Sequence, residues 1–446
     1  MRTMTNSLLR TTLGATLALT SATAVAAQQT NPSAASVGLA GSYTAMARGL
    51  SAMAWNPAGL AMPGSPGFSI SLLPMNGVAG LDPITLADVA EYDDTIIPHE
   101  VRQEWLDEIV AEGSQQGNGG GGLTLLALNV GRFGFQAGTS AATTADIGPG
   151  VARLLLFGNI SDDSTTAVDV EATGSEFDVA VLSTAAVSYA HPLTITLGPL
   201  PDQHFALGAT VKYVVGHALL SGFDDGTRAS ADPLEVEVVF PMITSLAPDS
   251  IIVDGDTVEA EDQAFNIGSG VGLDVGAMWQ GGIFSAAVAI QNLFNTFAWD
   301  EDKLYYSPGH VLFDGDSTTT DFEARPFSEA PQHVRDRLEE ASYPPTVAVA
   351  GAVRLPMVTV TGELRHRAGE SISLETGTHV GVGAEFRPIG FLPIRAGVAA
   401  VSGGINLGAG LGLEFGVFNL NVAGSRRSSD LGTDFAGALT ISFGGI

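Results

Sequence analysis

Apolar and polar residues alternate along much of the chain. Between Ile405 and Gly416 every odd-numbered residue is apolar, and every even-numbered residue is Gly, Asn or Glu. From Phe435 to Phe443 the odd-numbered positions carry Phe, Gly, Leu, Ile and Phe, whereas the even-numbered positions carry only Ala, Thr and Ser. Because successive side chains of a β-strand point to opposite faces, this pattern predicts strands with one apolar face and one small or polar face.

Fourteen segments of this kind can be placed along the chain, and an even number is typical of single-chain bacterial barrels. They lie near residues 66–75, 122–130, 133–142, 176–191, 204–220, 263–280, 283–298, 345–354, 357–366, 377–387, 391–400, 405–416, 418–425 and 433–445.

The links between these segments alternate in length. Most links after even-numbered segments are tight turns, whereas the first four after odd-numbered segments are long: 76–121, 143–175, 221–262 and 299–344. Short periplasmic turns and long external loops are the known asymmetry of outer-membrane barrels. The sequence therefore predicts an all-β fold, a transmembrane antiparallel β-barrel of about 14 strands.

Two alternatives to this architecture remain open at this point. A soluble β-sandwich also alternates, with its apolar face turned inward. The uncharged stretch from Val275 to Trp299 is long enough to cross a membrane as a helix, although Gly281 and Gly282 interrupt it and favour a hairpin.

The N-terminal residues divide into two parts. Residues 1–26 are interpreted as an export signal, because Arg2 and Arg10 precede an uncharged stretch and a small-x-small site ends at Ala26. Residues 27–64 are small, apolar and interrupted by Gly and Pro, which predicts a compact plug, or hatch, of short helices. Residues 65–446 are assigned to the barrel.

The charge of the chain narrows its possible partners. The net charge is −29, only 15% of residues are charged, and cysteine is absent. This acidity argues against nucleic-acid binding, which requires basic patches. The acidic residues cluster in the long loops, where solvation explains them. Cation binding is the alternative, but Asp314 and Asp316 lack a complete calcium-loop spacing, and we expect no metal and no cofactor.

Local structure is expected within the long loops. Residues 98–111 have the spacing of an amphipathic helix, with Val101, Trp105 and Ile109 on one stripe. Residues 332–341 predict a shorter helix. Both are expected to pack over the barrel mouth.

Signals of an enzyme are weak. His99-Glu100 lacks the second histidine of a zinc-protease helix. Residues 117–122 satisfy G-x-G-x-x-G, but they precede a predicted strand instead of opening a helix, so we interpret them as a loop end. No G-x-S-x-G nucleophile motif is present. We therefore do not expect an enzyme.

Charged residues occur on the polar face of the C-terminal strands. Because charges facing lipid are costly, these side chains are expected to face the lumen. They either form ion pairs between wall and hatch or, through Arg365, Arg387 and Arg395, hold the head group of a ligand. The lumen-facing candidates are Glu363, Arg365, Glu385, Arg387, Arg395 and Glu414.

Two motifs resemble a known family. Trp55-Asn56-Pro57-Ala58-Gly59-Leu60, preceded by Gly41-Ser-Tyr-Thr-Ala45, resembles the mature start of FadL-type outer-membrane transport proteins. Phe386-Arg387-Pro388, followed by Leu392-Pro393-Ile394-Arg395-Ala396-Gly397, resembles a recurrent hairpin of the same barrels. Relatives in that family include aromatic-hydrocarbon channels and the PorV-like barrel of the type IX secretion system.

The resemblance implies an N-terminal hatch, with Trp55, Asn56, Pro57, Ala58 and Gly59 as its motif, inside a fourteen-stranded barrel. It implies passive uptake of hydrophobic or amphipathic small molecules across the outer membrane, through the hatch or a lateral opening. The alternative is a scaffold whose external loops hold a protein partner. We expect contact with membrane lipid, a fatty-acid-like or aromatic ligand, a monomer, and an apolar cavity leading to Asn56. The chain ends in Ile446 instead of an aromatic residue, and its 7% aromatic content is low for full girdles.

Overall fold

The computed structural model of the chain describes residues 33–92, 95–158, 169–171, 173–195, 200–231, 234–253, 256–259, 263–314, 316–339, 343–369, 377–429 and 432–445. The export signal assigned to residues 1–26 lies outside these residues and stays a prediction.

Within the described residues, fourteen antiparallel strands close into one barrel, because the first strand pairs with both the second and the last. The prediction of an all-β transmembrane barrel with an N-terminal hatch is confirmed. The strands are β1 (Phe68–Ser71 and Met75–Asp82), β2 (Gln115–Val130), β3 (Phe133–Ile147), β4 (Glu176–Leu193), β5 (His204–Phe223), β6 (Gly268–Gly281), β7 (Phe284–Asn295), β8 (Thr346–Arg354), β9 (Val358–Arg367), β10 (Gly377–Ile389), β11 (Leu392–Val401), β12 (Gly404–Phe415), β13 (Phe418–Ser429) and β14 (Gly432–Gly445).

The first strands are longer than the sequence pattern predicts. Residues 117–122 lie inside β2, not in a loop end as predicted, and pair with residues 76–81 of β1. The alternation signal is weak there because glycine marks neither face. Backbone pairing between distant segments extends the strands beyond their apolar part.

The wall of the barrel is irregular at several places, and two of these lie in β1 and β7. Strand β1 is interrupted at residues 72–74, where Leu73 has a φ of 55°. In the β6–β7 hairpin, three residues of β7, 291–293, lie opposite the single residue Asp274 of β6. Such bulges bend a strand and change the direction of its side chains.

Turns and loops segregate to opposite ends of the barrel. The links after even-numbered strands are short where the structure describes them, including residues 131–132, 282–283 and 416–417. The stretch from Val275 to Trp299 forms a β-hairpin, so the interpretation as one helix is wrong. No helix among the described residues is both long and apolar enough to cross a membrane.

The long loops contain helices, and some of these are missed by the sequence pattern. The helices predicted at 98–111 and 332–341 are found as α4 (His99–Glu112) and α6 (Gln332–Glu339), after α1 (Ala34–Gly38) and α2 (Ala52–Trp55) of the hatch. Two further loop helices were not predicted, α3 (Leu86–Glu91) and α5 (Pro149–Phe157). Both are too short to show a clear period of 3.6 residues.

The outer face of the barrel carries an apolar belt. Val382, Leu411 and Val422 are each more than half exposed, as lipid-facing side chains of a barrel must be. Phe435 and Phe443 are exposed at opposite ends of β14, a step of roughly 20 Å along the axis for a strand tilted by about 40°. This height approaches that of a bilayer core.

The external end is covered by a folded cap, defined here as the described parts of residues 224–266 and 296–345. Its core is apolar and aromatic, and it packs against the external ends of β4 and β5. The cap contributes Ile243, Phe297, Trp299, Leu304, Tyr306, Phe327, Ala330, Val334 and Leu338 to this cluster. The wall contributes Ala180, Leu182, Val214 and Leu219 of β4 and β5, together with Ile267 just before β6. The loops therefore form a small packed layer over part of the mouth.

Candidate functional site

The hatch, predicted as residues 27–64 and described by the structure from Ser33 onward, lies inside the barrel. Its short elements are α1, a 3₁₀ turn at Gly49–Ser51, α2 and a second 3₁₀ turn at Pro57–Ala61. Helix α1 contacts β11 to β14, and the second turn contacts β4 to β6. The hatch thus bridges the lumen from one side of the wall to the other.

Glycines on the inner wall let the hatch backbone approach closely. A Cβ at Gly408 would lie 2.2 Å from the carbonyl oxygen of Val37, and one at Gly397 would lie 2.3 Å from the carbonyl carbon of Leu39. On the opposite side, a Cβ at Gly208 would lie 2.3 Å from the backbone nitrogen of Ala58. The small residues on the polar face of the strands are therefore the docking surface of the hatch.

Replacing Gly408 with alanine should loosen the hatch, because the new methyl group overlaps backbone atoms that cannot rotate away. We expect the docked hatch to lose about 1–3 kcal/mol, the usual cost of overpacking. Gly424→Ala in the neighbouring strand is the matched control, since its Cβ would meet nothing closer than 3.5 Å. Hydrogen exchange of hatch amides measures the difference, and equal exchange in both variants would contradict it.

The asparagine of the hatch motif is fully buried against the wall. The side-chain amide of Asn56 donates to the carbonyl oxygens of Ala277 in β6 and Val288 in β7, both at 3.2 Å. Its Oδ1 accepts from the backbone N–H of Ala58 at 3.1 Å and so caps the turn that begins at Pro57. Asn56 therefore ties the hatch to two wall strands.

A carboxylate of the wall holds the middle of the hatch. Glu363 Oε2 accepts from the backbone N–H groups of Tyr43 and Thr44, both at 2.8 Å. Glu363 Oε1 also pairs with Arg365 at 3.0 Å, and Arg365 donates to the carbonyl oxygen of Gly41. The Glu363 side chain has no exposed surface, so these partners take the place of solvent around its carboxylate.

Aromatic residues of the hatch surround the Arg365 guanidinium. Arg365 lies 5.0 Å from the ring centroid of Trp55, a cation–π distance. Trp55 in turn meets Tyr43 edge to face with the ring centroids 5.6 Å apart. Trp55, the first residue of the motif, thus contacts a lumen-facing residue of the wall directly.

The other four lumen-facing candidates form one network near the short-turn end. Glu385 joins Arg387 at 2.8 Å and Arg395 at 2.7 Å, and Arg387 reaches Glu414 at 2.6 Å. Arg395 also donates to Asn421 at 2.7 Å. Two arginines and two glutamates neutralise one another here, so their first role is to hold β10 to β13 together on the lumen side.

A cavity of about 630 Å³ lies between the hatch and the short-turn end of the barrel. We call it the vestibule. It is lined by residues of the hatch such as Tyr43 and Arg48, by the β8–β9 turn, and by the network around Arg387. Asn56 does not line the vestibule. The expected apolar cavity leading to Asn56 stays a prediction, because the vestibule lies elsewhere and its lining is about equally polar and apolar.

Comparison with known proteins gives likeness in structure but not in sequence. No family model and no curated protein matches the chain. Among solved structures, the Ralstonia pickettii toluene transporter TbuX is 14% identical, with 94% of this chain and 99% of that chain covered at a TM-score of 0.50. A TodX deltaS2S3 mutant monoaromatic hydrocarbon channel is 11% identical, with 89% and 94% covered at a TM-score of 0.50.

This chain has the FadL-type fold. The structural likeness covers nearly the full length of both chains, which agrees with the resemblance of the hatch motif and the β10–β11 hairpin. At these identities the likeness establishes the fold and leaves the cargo open.

The sequence did not predict several contacts that the structure shows in this FadL-type hatch. Arg48 donates to the carbonyl oxygens of Ala45, Ala47 and Pro63 and so holds the hatch in its own fold. Gln291, in the bulge of β7, donates to the carbonyl oxygen of Ala54. These side chains act on backbone acceptors, which leave no signal in the sequence.

A buried ion pair lies beside the same bulge of the FadL-type wall. Lys212 in β5 and Asp274 in β6 lie 2.7 Å apart, and both side chains are nearly inaccessible. Asp274 also accepts from the backbone N–H of Asn292 at 2.7 Å. The pair therefore stabilises the irregular backbone, and breaking it would leave a charge uncompensated.

An arginine latches the cap to the rim of the barrel. Arg337 in α6 contacts Glu176 at 2.8 Å and Asp178 at 3.0 Å at the start of β4. It also lies 5.1 Å from the Phe223 ring centroid. Burial lowers the pKa of Arg337, but the two carboxylates outweigh it and hold the pKa above its usual value. The cap is thus fixed by charge as well as by its apolar core.

The described parts of the acidic loops use some of their carboxylates to hold local turns. Among the described residues no group of His, Asp and Glu is arranged to hold a metal ion. The carboxylate of Asp314 accepts from the backbone N–H groups of Asp316 and Ser317, and these hydrogen bonds hold its pKa below the usual value. Asp314 thus closes a local turn.

Proposed function

We propose that the protein is an outer-membrane channel for the passive uptake of hydrophobic or amphipathic small molecules. The observation that carries this proposal is the hatch itself: a small-residue plug docked on wall glycines and tied at a few defined points, with a vestibule beyond it. The fold shared with the toluene transporter TbuX and the monoaromatic hydrocarbon channel TodX supports the ligand class.

In this proposal the motif Trp55 to Gly59 is the part of the hatch that must shift during transport. Its contacts to β5, β6 and β7 are hydrogen bonds and backbone packing, which can break locally while the barrel stays closed. Arg365 stands beside Trp55 and would meet a polar head group that passes the hatch. Arg387 and Arg395 would meet it next.

The sequence contains no cysteine, so a pair of introduced cysteines can form only one disulfide, and this allows a direct test of hatch movement. Ala58 of the motif and Ala206 of β5 are buried in one cluster, so Ala58→Cys with Ala206→Cys should allow a disulfide that locks the motif to the wall. Cells that lack their own channel should take up radiolabelled toluene or decan-1-ol faster when they make the protein. Oxidation of the locked variant should remove the gain, and reduction should restore it.

The matched control places a disulfide in the wall alone. Ala423 and Ala438 face each other in the register of β13 and β14, so this disulfide joins two wall strands and leaves the hatch unlinked, although both alanines pack beside Ala34. Oxidation of Ala423→Cys with Ala438→Cys should leave uptake unchanged. Uptake no faster than in cells without the protein would refute the transport proposal.

The second candidate function is a scaffold that holds a protein partner. The folded cap favours it, because a packed core of loop residues presents a stable external surface. Two results together would favour the scaffold over the channel. A protein partner would be recovered in a stoichiometric amount after solubilisation of the outer membrane, and the disulfide that locks the hatch would leave uptake unaffected.

A further inference from the structure

The external loops contain a second antiparallel sheet, separate from the barrel and built mainly by the cap. In spatial order its strands within the described residues are Thr318–Asp321, His310–Phe313, Leu234–Val239, Arg228–Ala231 and Val170–Glu171. We call Thr318–Asp321 the edge strand, because among the residues that the structure describes it pairs on one side only. Its three threonines are all exposed, although they belong to both faces of the sheet.

The register of the edge strand shows which of its backbone groups point outward. Asp314 donates its backbone N–H to the carbonyl oxygen of Ser317 at 3.2 Å, directly beside the turn. Because hydrogen-bonded pairs alternate with non-bonded pairs along an antiparallel ladder, the next bonded residue of the edge strand is Thr319. The N–H and C=O groups of Thr318 and Thr320 therefore point away from the sheet, as on any open edge.

One face of this sheet is apolar and loses its cover toward the edge strand. A row of directly opposed residues runs across the sheet through Val170, Ala229, Val236, Phe313 and Thr318. The first two side chains are buried, the next two are half-buried, and the last is exposed. A further strand beside the edge strand would continue this row and take more apolar surface out of water.

The chain around the edge strand is acidic. Residues 314–323 contain four carboxylates, Asp314, Asp316, Asp321 and Glu323, and neither lysine nor arginine. Arg325 pairs with Asp321, which leaves a surplus of three negative charges. A second copy of this chain docked edge to edge would bring the same charges together, whereas a basic segment is attracted.

We propose that the edge strand docks an extended, basic segment of a partner protein, which adds one strand to the cap sheet. Strand addition supplies main-chain hydrogen bonds through Thr318 and Thr320, and the side chains of the added segment fall alternately on the two faces. Apolar side chains continue the row that ends at Thr318. Lysine or arginine on the other face meets Asp321 and the flanking carboxylates. The docking site lies on the external loops and is independent of passage through the hatch.

The test titrates a short synthetic peptide of alternating Val and Lys into the detergent-solubilised full chain. Thr320→Pro removes one outward N–H and should leave the ladder with His310–Phe313 intact, because proline is tolerated where the N–H of an edge strand faces solvent. Binding should weaken roughly fivefold to tenfold, the effect of losing about one hydrogen bond. Thr320→Val is the matched control, since it keeps the backbone donor, and affinity should stay within about twofold.

Two further peptides are titrated into the parent protein, so that the result does not depend on the fold of a variant. The Val–Lys peptide with N-methylated backbone keeps its charges but cannot donate to a sheet, and it should bind at least about tenfold more weakly. A peptide of alternating Val and Glu can add as a strand but is repelled, and it should also bind at least about tenfold more weakly.

Three results would overturn the proposal. Equal affinity of the Val–Lys peptide for the parent protein and Thr320→Pro would show that the acidic loops hold the peptide without strand addition, and undiminished binding of the N-methylated peptide would show the same. A dimer of the protein that Thr320→Pro dissociates would identify a second copy as the occupant. None of these results bears on uptake, so the docking site and the channel function are tested separately.

Discussion

Replacing Glu363 with leucine should release the hatch from the barrel wall. The substitution leaves the N–H groups of Tyr43 and Thr44 without an acceptor and Arg365 without its carboxylate. Breaking a buried pair on one side costs about 3–5 kcal/mol. If the barrel itself stays folded, the loss falls on hatch docking, and trypsin cleavage after Arg48 should accelerate roughly a hundredfold or more.

Two variants make the Glu363 result specific. Glu235→Leu breaks an exposed pair with Arg228 in the cap and should change cleavage at Arg48 less than about twofold, because exposed pairs contribute little. Glu363→Leu combined with Arg365→Met should recover part of the loss, since no uncompensated charge remains. Cleavage at the parent rate in the single variant would show that Glu363 does not hold the hatch.

Replacing Asn56 with aspartate should undock the other side of the hatch. The change keeps the size of the side chain and the oxygen that caps the turn at Ala58, but removes the donor to Ala277 and Val288. It also places a carboxylate against two carbonyl oxygens in a fully buried position. We expect a loss of about 2–4 kcal/mol in hatch docking, seen as a larger single-channel conductance in planar bilayers.

The control for Asn56 is an asparagine that lines the vestibule. Asn419→Asp introduces the same charge where it can be solvated, and conductance should resemble that of the parent protein. Heat-modifiable migration should persist in both variants, because the wall strands keep their own pairing. A closed Asn56→Asp channel would mean that the two wall contacts do not hold the hatch in place.

The strands could be predicted because their signal is local. From Ile405 to Phe415 the period of two is unbroken, so the apolar face of β12 follows from neighbouring residues alone. The glycine-rich start of β2 could not be predicted, since glycine carries no face preference and only the partner strand shows where pairing begins. The short helix α5 could not be predicted for a related reason, because its nine residues make too few turns to show a helical period of apolar residues.

Part of the candidate site could likewise be predicted from local sequence patterns, and part could not. Alternation singled out Glu363 and Glu385 as polar residues of the inner face, and the motif singled out Asn56. None of these patterns indicated that Glu363 meets Tyr43, which is 320 positions away in the chain. Arg48 gave no signal at all, because the groups that it holds are backbone carbonyls.

The sequence by itself determined the architecture: fourteen strands, their apolar faces, the asymmetry of turns and loops, and a small-residue segment before β1. These follow from periodicity and turn chemistry, which act over a few residues. Only the tertiary structure decided which glycines receive the hatch, which carboxylate anchors it, how Arg337 fixes the cap, and which residues line the vestibule. Those features depend on closing the barrel, which brings distant strands and the hatch into contact.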